Sequence, residues 1–480
     1  MTSVRVRFAP SPTGELHVGG LRTALFNYLF AKSNGGEFVL RIEDTDQERY
    51  VEGAEQGIID ILQWAGIPPD EGPHIGGPYG PYRQSERLEK YQAAAEELIA
   101  QGNAYKCYCT TDELDEMRRN QQARNLPTIY DGRHRDLTDE QRAQFEAEGR
   151  TPVVRMRIPD RDERIVVRDA IRGEVAFDSG QLDDQVLLKS DGFPTYHLAV
   201  VVDDNAMQIS HILRAEEWLP STPKHLLLYR WLGFEEPVFA HLPLLLNDDR
   251  SKMSKRKGDV AAEDYRRKGY LADALINFLA LLGWNPGDDR ELLTRQELLE
   301  LFSIERIGKA GAVFDREKLN WMNQNYIQKL SVDELSEQVK AFMDPELLAG
   351  LEEDTLRSVT AATQTSLVTL ADINDRVRIF IRGDEEPVVP EVSEVMGSED
   401  AKRIFGTLRG KLQETEDLDQ TAFRAMMKEV QKETQLKGKA LFAPVRAAIT
   451  LEKDGPDLAQ VVEIFGRDKT LARIERALSI

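Results

Sequence analysis

The sequence is poor in the residues that hold secreted scaffolds together, and it has no long apolar run. Cysteine occurs only at Cys107 and Cys109, which are too few and too close for a disulfide framework and favour a reducing compartment. No segment approaches the length of a membrane span, and the first residues show no signal-peptide pattern. These absences argue against disulfide-rich and membrane-spanning classes, and we expect a cytoplasmic protein with no membrane partner.

Positive charge is also scarce, because 62 lysines and arginines stand against 83 acidic residues, a net charge of −21. That balance excludes bulk attraction to nucleic acid, so any such contact must depend on local basic patches. Neither of two common phosphate-binding motifs, G-x-G-x-x-G and G-x-x-x-x-G-K-[ST], is present. There are no internal repeats, and the length of 480 residues predicts several domains.

A glycine-rich loop, "APSPTGELHVGG" at 9–20, lies between a strand-like and a helix-like segment. Residues 4–8 alternate apolar and polar side chains, which predicts a strand with one buried face. A helical pattern follows the loop, Gly35 and Gly36 end it, and 38–42 resembles a second strand. This order predicts a βαβ unit with parallel strands.

The position of this loop favours ligand binding. In open α/β sheets, ligands bind at the carboxyl ends of strands, where the N–H groups and dipole of a helix start attract anions. Glycines let a ligand approach the backbone, and His17 adds a donor. On this stretch alone, a plain connecting loop remains the alternative.

The rest of the chain divides by composition. Residues 110–177 are polar and arginine-rich, which predicts an insertion into a sheet that resumes near Asp184. Beyond Asp264 the pattern is almost entirely helical, with a capping box at Ser331. Apolar stripes mark two C-terminal helices, one formed by Phe423, Met426, Met427 and Val430 and the other by Leu471, Ile474 and Leu478.

The basic cluster "SKMSKRKGD" at 251–259 would be a solvated surface if it stood alone. With the upstream loop it becomes half of a two-part phosphate site. "SPTGELHVGG" and "KMSKR" resemble the two signature motifs of class I aminoacyl-tRNA synthetases. Five longer strings resemble the bacterial-type glutamyl-tRNA synthetase family over essentially the whole chain: "RFAPSPTGELHVGGLRTALFNYLFA", "RIEDTDQERY", "GPYRQSER", "KSDGFPTYHLAVVVDD" and "ILRAEEWLPSTPKH".

The resemblance implies an α/β fold with a Rossmann-type catalytic domain, an α+β acceptor-binding insertion, a helical stem-contact domain and an all-α anticodon-binding cage. The expected segments are the first catalytic half at 1–109, the acceptor-end insertion at 110–183, the second catalytic half at 184–250, the stem-contact domain at 251–330, and anticodon-binding helical subdomains at 331–395 and 396–480.

The resemblance also implies which residues hold glutamate. Arg7 and Arg214 match the positions that bind its carboxylates, which suits the planar fork of arginine. Glu43 matches the residue that takes the α-amino group. Other positions around the amino acid are Ala9, Ser11, Tyr196 and Val200. Each charged residue alone could be a surface or loop charge, and only the family pattern selects them together.

For ATP, which would enter with Mg²⁺, the implied catalytic residues are His17 and Lys255, which stabilise charge on the phosphates. The implied ATP-binding residues are His17, Gly20, Glu217, Trp218, Leu245, Lys252, Ser254 and Lys255. The second signature ends in Arg256 instead of serine, a departure that related bacterial enzymes tolerate.

The implied reaction has two steps. The α-carboxylate of glutamate attacks the α-phosphate of ATP, and the 2′-hydroxyl of the terminal adenosine of tRNA(Glu) then attacks the activated carbonyl. In the family, activation generally waits for bound tRNA. Ser358 beside Arg357, in the anticodon module, favours an enzyme that also charges tRNA(Gln). The protein is expected to be a monomer.

Two other functions remain open. A glutamyl-queuosine tRNA synthetase modifies a tRNA base, but it lacks the helical cage that 331–480 would form here. A synthetase-like protein that binds tRNA without catalysis should have lost part of the ATP site, whereas His17, Lys255 and Glu43 are all present.

Cys107 and Cys109 also have a counterpart in the resembled family, where some members bind structural zinc between a C-x-C pair and a C-x-H pair. After 24 intervening residues, 110–133, this chain has His134 and Asp136 at the corresponding places. Two thiolates, one imidazole and one carboxylate can complete a zinc tetrahedron. The alternative is a metal-free relic, because a carboxylate is a less selective ligand.

Overall fold

The computed structural model describes residues 3–159, 163–253, 260–383 and 388–480. The chain forms two compact units, the first made of Met1–Asp264 and Ile276–Asp315, the second of Tyr265–Leu275 and Arg316–Ile480. In the described ranges, no helix combines the length and apolar character needed to cross a bilayer.

The first unit opens with the predicted βαβ arrangement. Strands β1 (Arg5–Phe8) and β2 (Glu37–Leu40) pair in parallel, and helix α1 (Val18–Ser33) connects them. All four residues of β1 are buried, so the prediction of a single buried face is wrong. Arg5 and Arg7 can be buried there because carboxylates meet them, Glu71 at 2.8 Å and Asp204 at 3.0 Å.

The two strands approach closely at the start of β2. A Cβ atom added to Gly36, the residue just before β2, would lie 2.2 Å from the carbonyl oxygen of Val4. A side chain at this position would clash with the backbone of Val4, so glycine is required there.

The remaining elements of the first unit surround this arrangement. The next elements along the chain are α2 (Ala54–Trp64), α3 (Leu88–Ala100), β3 (Ala104–Cys107), α4 (Thr111–Ala123), α5 (Asp139–Ala147) and β4 (Val153–Met156). Next come β5 (Arg164–Asp169), β6 (Gly173–Asp178), β7 (Val186–Leu188), α6 (Tyr196–Ala206), β8 (His211–Ala215), α7 (Thr222–Trp231), β9 (Val238–Leu242) and β10 (Leu245–Leu246). After them follow α8 (Ala262–Arg267) and α9 (Ala272–Leu281), whose residues are divided between the two units. The first unit ends with α10 (Arg295–Leu301) and β11 (Ala312–Val313), which pairs in parallel with β10.

Two sheets join chain segments that the sequence predicts to be separate. The order β3-β4-β7 combines strands from before, within and after the predicted insertion. In the order β6-β5-β9-β8, Asp169 of β5 pairs in parallel with Phe239 of β9. This pairing brings the end of β5 next to β9, which in turn pairs with β8 at the cavity described below.

In its described residues the second unit contains helices and no strand, as predicted. Its main helices are α11 (Arg316–Lys329), α12 (Val332–Lys340), α13 (Pro345–Ala349), α14 (Glu353–Thr363), α15 (Ile373–Ile381), α16 (Pro390–Met396), α17 (Glu399–Glu414), α18 (Gln420–Thr434), α19 (Lys439–Thr450) and α20 (Leu458–Leu478).

Local signals in this unit are confirmed. Ser331 and Glu334 form a reciprocal capping box at the start of α12. The stripe from Phe423 to Val430 is buried on α18, and Ile474 of α20 is fully buried. The apolar periodicity therefore identified the helix faces that form the core.

Candidate active site

A cavity of about 810 Å³ lies where β1 and β8 end and α1 begins. This is the edge at which the βαβ pattern predicts a ligand. Most of the predicted site residues line it: Arg7, Ala9, Ser11, His17, Gly20, Glu43, Tyr196, Arg214, Glu217, Trp218, Leu245 and Lys252.

Three predicted residues are not among those that line it. Val200 is 1% exposed and packs in the core of the first unit, because it lies one helical turn beyond Tyr196 on α6. The prediction that Val200 contacts the substrate is therefore not supported. Ser254 and Lys255, together with the variant signature residue Arg256, lie outside the described residues.

Arg214, at the end region of β8, is buried without a carboxylate partner among the described residues. It is 5% exposed, and its guanidinium donates to the Tyr196 hydroxyl at 2.9 Å and to the Thr222 hydroxyl at 2.9 Å. Its Nε donates to Nε2 of His241 at 3.1 Å. A buried cation whose partners are all neutral can accept an anion favourably.

Arg7 differs, because its charge is already compensated. Its Nε donates to Asp204 at 3.0 Å, and Arg41 donates to the same Asp204 oxygen at 2.6 Å and to Glu43 at 3.1 Å. The four side chains form one buried chain, Arg7–Asp204–Arg41–Glu43. Burial raises the pKa of Glu43 and would raise that of Asp204, but Arg41 and Arg7 hold the Asp204 pKa below its usual value.

His17 caps α1. Its Nδ1 accepts the backbone N–H of Gly19 at 2.9 Å, so a neutral His17 carries its proton on Nε2. The backbone N–H of Val18 donates to the carbonyl of Val260 at 2.7 Å. Two backbone donors that the sequence predicts for an anion are thus used within the protein, and a neutral His17 carries its own N–H on Nε2.

Glu217 and Lys252 form an ion pair with each other. Both side chains are partly exposed at the cavity, and both are predicted to contact ATP. A nucleotide phosphate at Lys252 would compete with Glu217 for the same ammonium group.

Sequence reasoning missed five buried polar residues behind the cavity: Arg41, Asp169, Asp204, Thr222 and His241. The sequence contains an indication for two of them. His241 begins the apolar segment "HLPLLLN", and Asp204 ends the apolar segment "LAVVVDD". A charged or titratable residue in such a run is buried only when it is paired.

A second cluster lies at the start of the predicted insertion, with two cysteines just before it and His134 inside it. Ligand atoms of Cys107, Cys109 and His134 fall within 4.8 Å of one another. The Tyr130 hydroxyl lies 3.4 Å from the Cys107 sulfur and 3.6 Å from the Cys109 sulfur. The hydrogen bond between the two cysteines lowers the pKa of the Cys107 thiol and raises that of Cys109.

Asp136 does not belong to this cluster, so its prediction as a metal ligand is not supported. Its side chain is 78% exposed, and a carboxylate oxygen lies 2.8 Å from the guanidinium of Arg157. Asp136 is not among the residues whose ligand atoms lie together with the two sulfurs.

Comparison with known proteins identifies two matching family models. The model described as tRNA synthetases class I (E and Q), catalytic domain, matches residues 3–321, and an anticodon binding domain model matches 334–478. The chain is 46% identical to glutamate–tRNA ligase 1 of Caldicellulosiruptor saccharolyticus over 98% of each chain. It is 44% identical to glutamate–tRNA ligase of Clostridioides difficile, again over 98% of each.

A solved structure is also similar over the full length. A glutamate tRNA ligase from Elizabethkingia meningosepticum, crystallised in complex with its amino acid, has a TM-score of 0.90 at 36% identity, with 99% of each chain covered.

Proposed function

The chain belongs to the glutamate–tRNA ligases among the class I aminoacyl-tRNA synthetases, and on this premise we propose that its cavity forms glutamyl-adenylate and transfers glutamate to tRNA(Glu). The observation that carries this proposal is that two buried side chains line one cavity: Arg214, which has no carboxylate partner among the described residues, and the carboxylate of Glu43. Such a cavity is complementary to an amino acid that carries a side-chain carboxylate and an ammonium group.

Glutamate binds through these charges. Arg214 receives the side-chain carboxylate, and Glu43 receives the α-ammonium. Arg7 is linked to Glu43 through Asp204 and Arg41, and it orients the end of glutamate opposite to the side-chain carboxylate. The Tyr196 hydroxyl, which accepts from Arg214, fixes the direction of the guanidinium. Ala9 and Ser11 line the same cavity.

ATP binds beside the start of α1, where Gly20 and Leu245 line the cavity. His17 Nε2–H and Lys255 stabilise charge on the phosphates while the α-carboxylate of glutamate displaces pyrophosphate. Mg²⁺ enters with ATP as its counter-ion. The terminal 2′-hydroxyl of tRNA then displaces AMP from the mixed anhydride, and no protein nucleophile is required.

ATP–pyrophosphate exchange tests the assignment. We expect exchange that requires glutamate and depends on tRNA(Glu), and loss of exchange in Lys255→Ala with tRNA affinity nearly unchanged, because one lysine contributes little to a large interface. A protein that only binds tRNA would show no exchange under any condition. Normal exchange together with lost tRNA binding in Lys255→Ala would contradict the role of that lysine.

The range of tRNA substrates is a further part of the proposal. Ser358 lies on α14, and its hydroxyl donates to the carbonyl of Asp354, while Arg357 pairs with Asp333. With serine at the discriminating place, tRNA(Gln) is charged at a rate comparable to tRNA(Glu). A rate for a tRNA(Gln) transcript far below that for tRNA(Glu) would show that Arg357 holds this place instead.

The sulfur cluster fits a structural zinc ion with one change of ligand. Cys107, Cys109 and His134 supply three ligands, and the Tyr130 oxygen replaces Asp136 as the fourth. Bound zinc would tie the loop that carries Tyr130 and His134 to the end of β3. A cytoplasmic location and a monomeric state remain predictions from the sequence.

A further inference from the structure

Hydrogen-bonded side chains continue from Arg214 into the protein, away from the cavity. Arg214 Nε lies 3.1 Å from His241 Nε2, and His241 Nδ1 lies 2.6 Å from an oxygen of Asp169. His241 is fully buried and Asp169 is 6% exposed, and neither is among the described residues that line the cavity. A carboxylate at the end of β5 is thus connected to the proposed glutamate receptor through one imidazole.

The hydrogen bonds fix where the His241 proton resides. A guanidinium N–H can only donate, so Nε2 must accept and carries no proton. The ring proton is therefore on Nδ1 and is donated to Asp169. Asp169 acts as an acceptor throughout, since it also receives the N–H groups of Ile171 and Arg172 at 2.9 and 2.8 Å. His241 is neutral in this arrangement.

The same rule applies on the other side of the guanidinium. His225 Nδ1 lies 3.3 Å from Nη1 of Arg214 and accepts, which leaves its Nε2 to donate to His197 Nδ1 at 3.1 Å. The longest contact of Arg214 is to the Trp218 carbonyl at 3.4 Å. Burial lowers the pKa of both His225 and His241, in agreement with neutral rings.

We propose that Asp169 and His241 are positioning residues that determine how tightly the enzyme binds the side-chain carboxylate of glutamate. Through Nε, His241 orients the Arg214 guanidinium without neutralising it. Nη1 and Nη2 can then give up their long contacts, to His225 and the Trp218 carbonyl, and bind the substrate carboxylate instead. A carboxylate in place of the imidazole would compete with the substrate for the same charge.

This inference rests on the proposed function, because it assumes that Arg214 receives glutamate. Asp169→Asn tests it in the full-length enzyme. The amide of asparagine can donate to Nδ1, which moves the ring proton to Nε2, where it opposes the N–H of Arg214. We expect the KM for glutamate in aminoacylation to rise about 10- to 100-fold, with the KM for ATP and kcat changed by about twofold or less.

Glu174→Gln is the matched control, since it makes the same chemical change at a 70% exposed carboxylate on the neighbouring strand β6. It should leave every constant unchanged. An unchanged KM for glutamate in Asp169→Asn, or equal increases for glutamate and ATP, would overturn the proposal.

Nitrogen NMR of ¹⁵N-histidine-labelled enzyme provides a readout that a structural role would not move. Wild-type His241, assigned by its absence in His241→Gln, should be neutral with the proton on Nδ1, and Asp169→Asn should move that proton to Nε2. A doubly protonated His241 in the wild type would overturn the proposal, even if Asp169→Asn fails to fold.

Arg214→Gln separates this inference from the proposed function. If it leaves the KM for glutamate unchanged, the role of Arg214 itself is wrong. If it raises that KM while Asp169→Asn does not, only the positioning role of Asp169 and His241 is wrong.

Discussion

Charged residues around the cavity differ in whether their charge is compensated before a ligand arrives. Among the described residues, all partners of Arg214 are neutral, whereas Arg7 is paired with Asp204. Residue type and spacing do not distinguish these two arginines, and both are predicted to bind carboxylate. Burial together with the identity of the partner separates them, because uncompensated buried charge is costly until a counter-ion binds.

Glu43→Gln tests the anionic side of the cavity. Glutamine keeps an oxygen for Arg41 but removes the charge proposed to meet the α-ammonium, so the KM for glutamate should rise about 10- to 100-fold with a smaller change in kcat. Steady-state aminoacylation at varied glutamate measures both constants. Glu48→Gln, at an exposed position just outside the cavity, is the control. Equal KM values for Glu43→Gln and the wild type would remove Glu43 from the site.

Single elements were predicted best where the signal was local. The βαβ order, the capping box of α12 and the apolar stripe of α18 each depend on residues within a few turns of one another. The residues that were missed are paired across long stretches of chain. Asp169 and His241 are 72 positions apart, and Arg7 and Asp204 are 197 apart. No periodicity predicts such pairs, and the spacing that selects Asp136 as a ligand takes no account of its ion pair with Arg157.

Gly36→Ala should strongly destabilise the first unit. The added methyl group would meet the carbonyl of Val4 at 2.2 Å, a backbone atom that cannot rotate away, so we expect a loss of about 3 kcal/mol. Gly57→Ala in α2 is the matched control, because nothing lies within 4 Å of its added Cβ. That variant should be neutral or more stable by up to about 1 kcal/mol. Calorimetric unfolding of both variants measures the difference, and similar midpoints would contradict the close approach.

The sulfur cluster connects β3 to the segment that carries His134, so bound zinc should stabilise the elements on both sides. Elemental analysis of enzyme purified without chelator should find about one zinc per chain. Cys107→Ser should lose the metal and lower the thermal midpoint, whereas Asp136→Asn should keep it, because Asp136 pairs with Arg157. Substoichiometric zinc with an unmoved midpoint in Cys107→Ser would identify a metal-free relic.

At the scale of the whole molecule, a chain of net charge −21 must bind a polyanion. The total charge therefore opposes its partner, and affinity for tRNA has to come from where the cations lie. Composition predicted this requirement but could not locate the surface. Of the basic cluster at 251–259, only the first three residues are described.

Buried and half-buried histidines make the stability of the first unit depend on pH. Burial, with Lys224 and Arg214 nearby, lowers the pKa of His197 to about 4, and burial also lowers those of His225 and His241. Between pH 6.5 and 4 the unfolded chain binds protons that the folded chain excludes, so stability falls as pH falls. Each such histidine contributes at most about 1.4 kcal/mol per pH unit.

Unfolding midpoints measured from pH 7.5 to 5 should therefore decrease, and the slope should be shallower by about one proton in His197→Gln. His74→Gln, at an exposed position, is the control. Identical slopes for His197→Gln and the wild type would mean that folding does not change the proton affinity of this histidine.

The chain Arg7–Asp204–Arg41–Glu43 has a thermodynamic consequence for substrate recognition. Arg41 is shared by Glu43 and Asp204, so a cation that arrives at Glu43 weakens the hold of that carboxylate on Arg41 and strengthens the bond from Arg41 to Asp204. Asp204 then holds Arg7 less tightly, and more of the Arg7 charge becomes available. The two poles of a zwitterion would therefore bind cooperatively, and an analogue that lacks either pole would lose more free energy than the missing contact alone supplies.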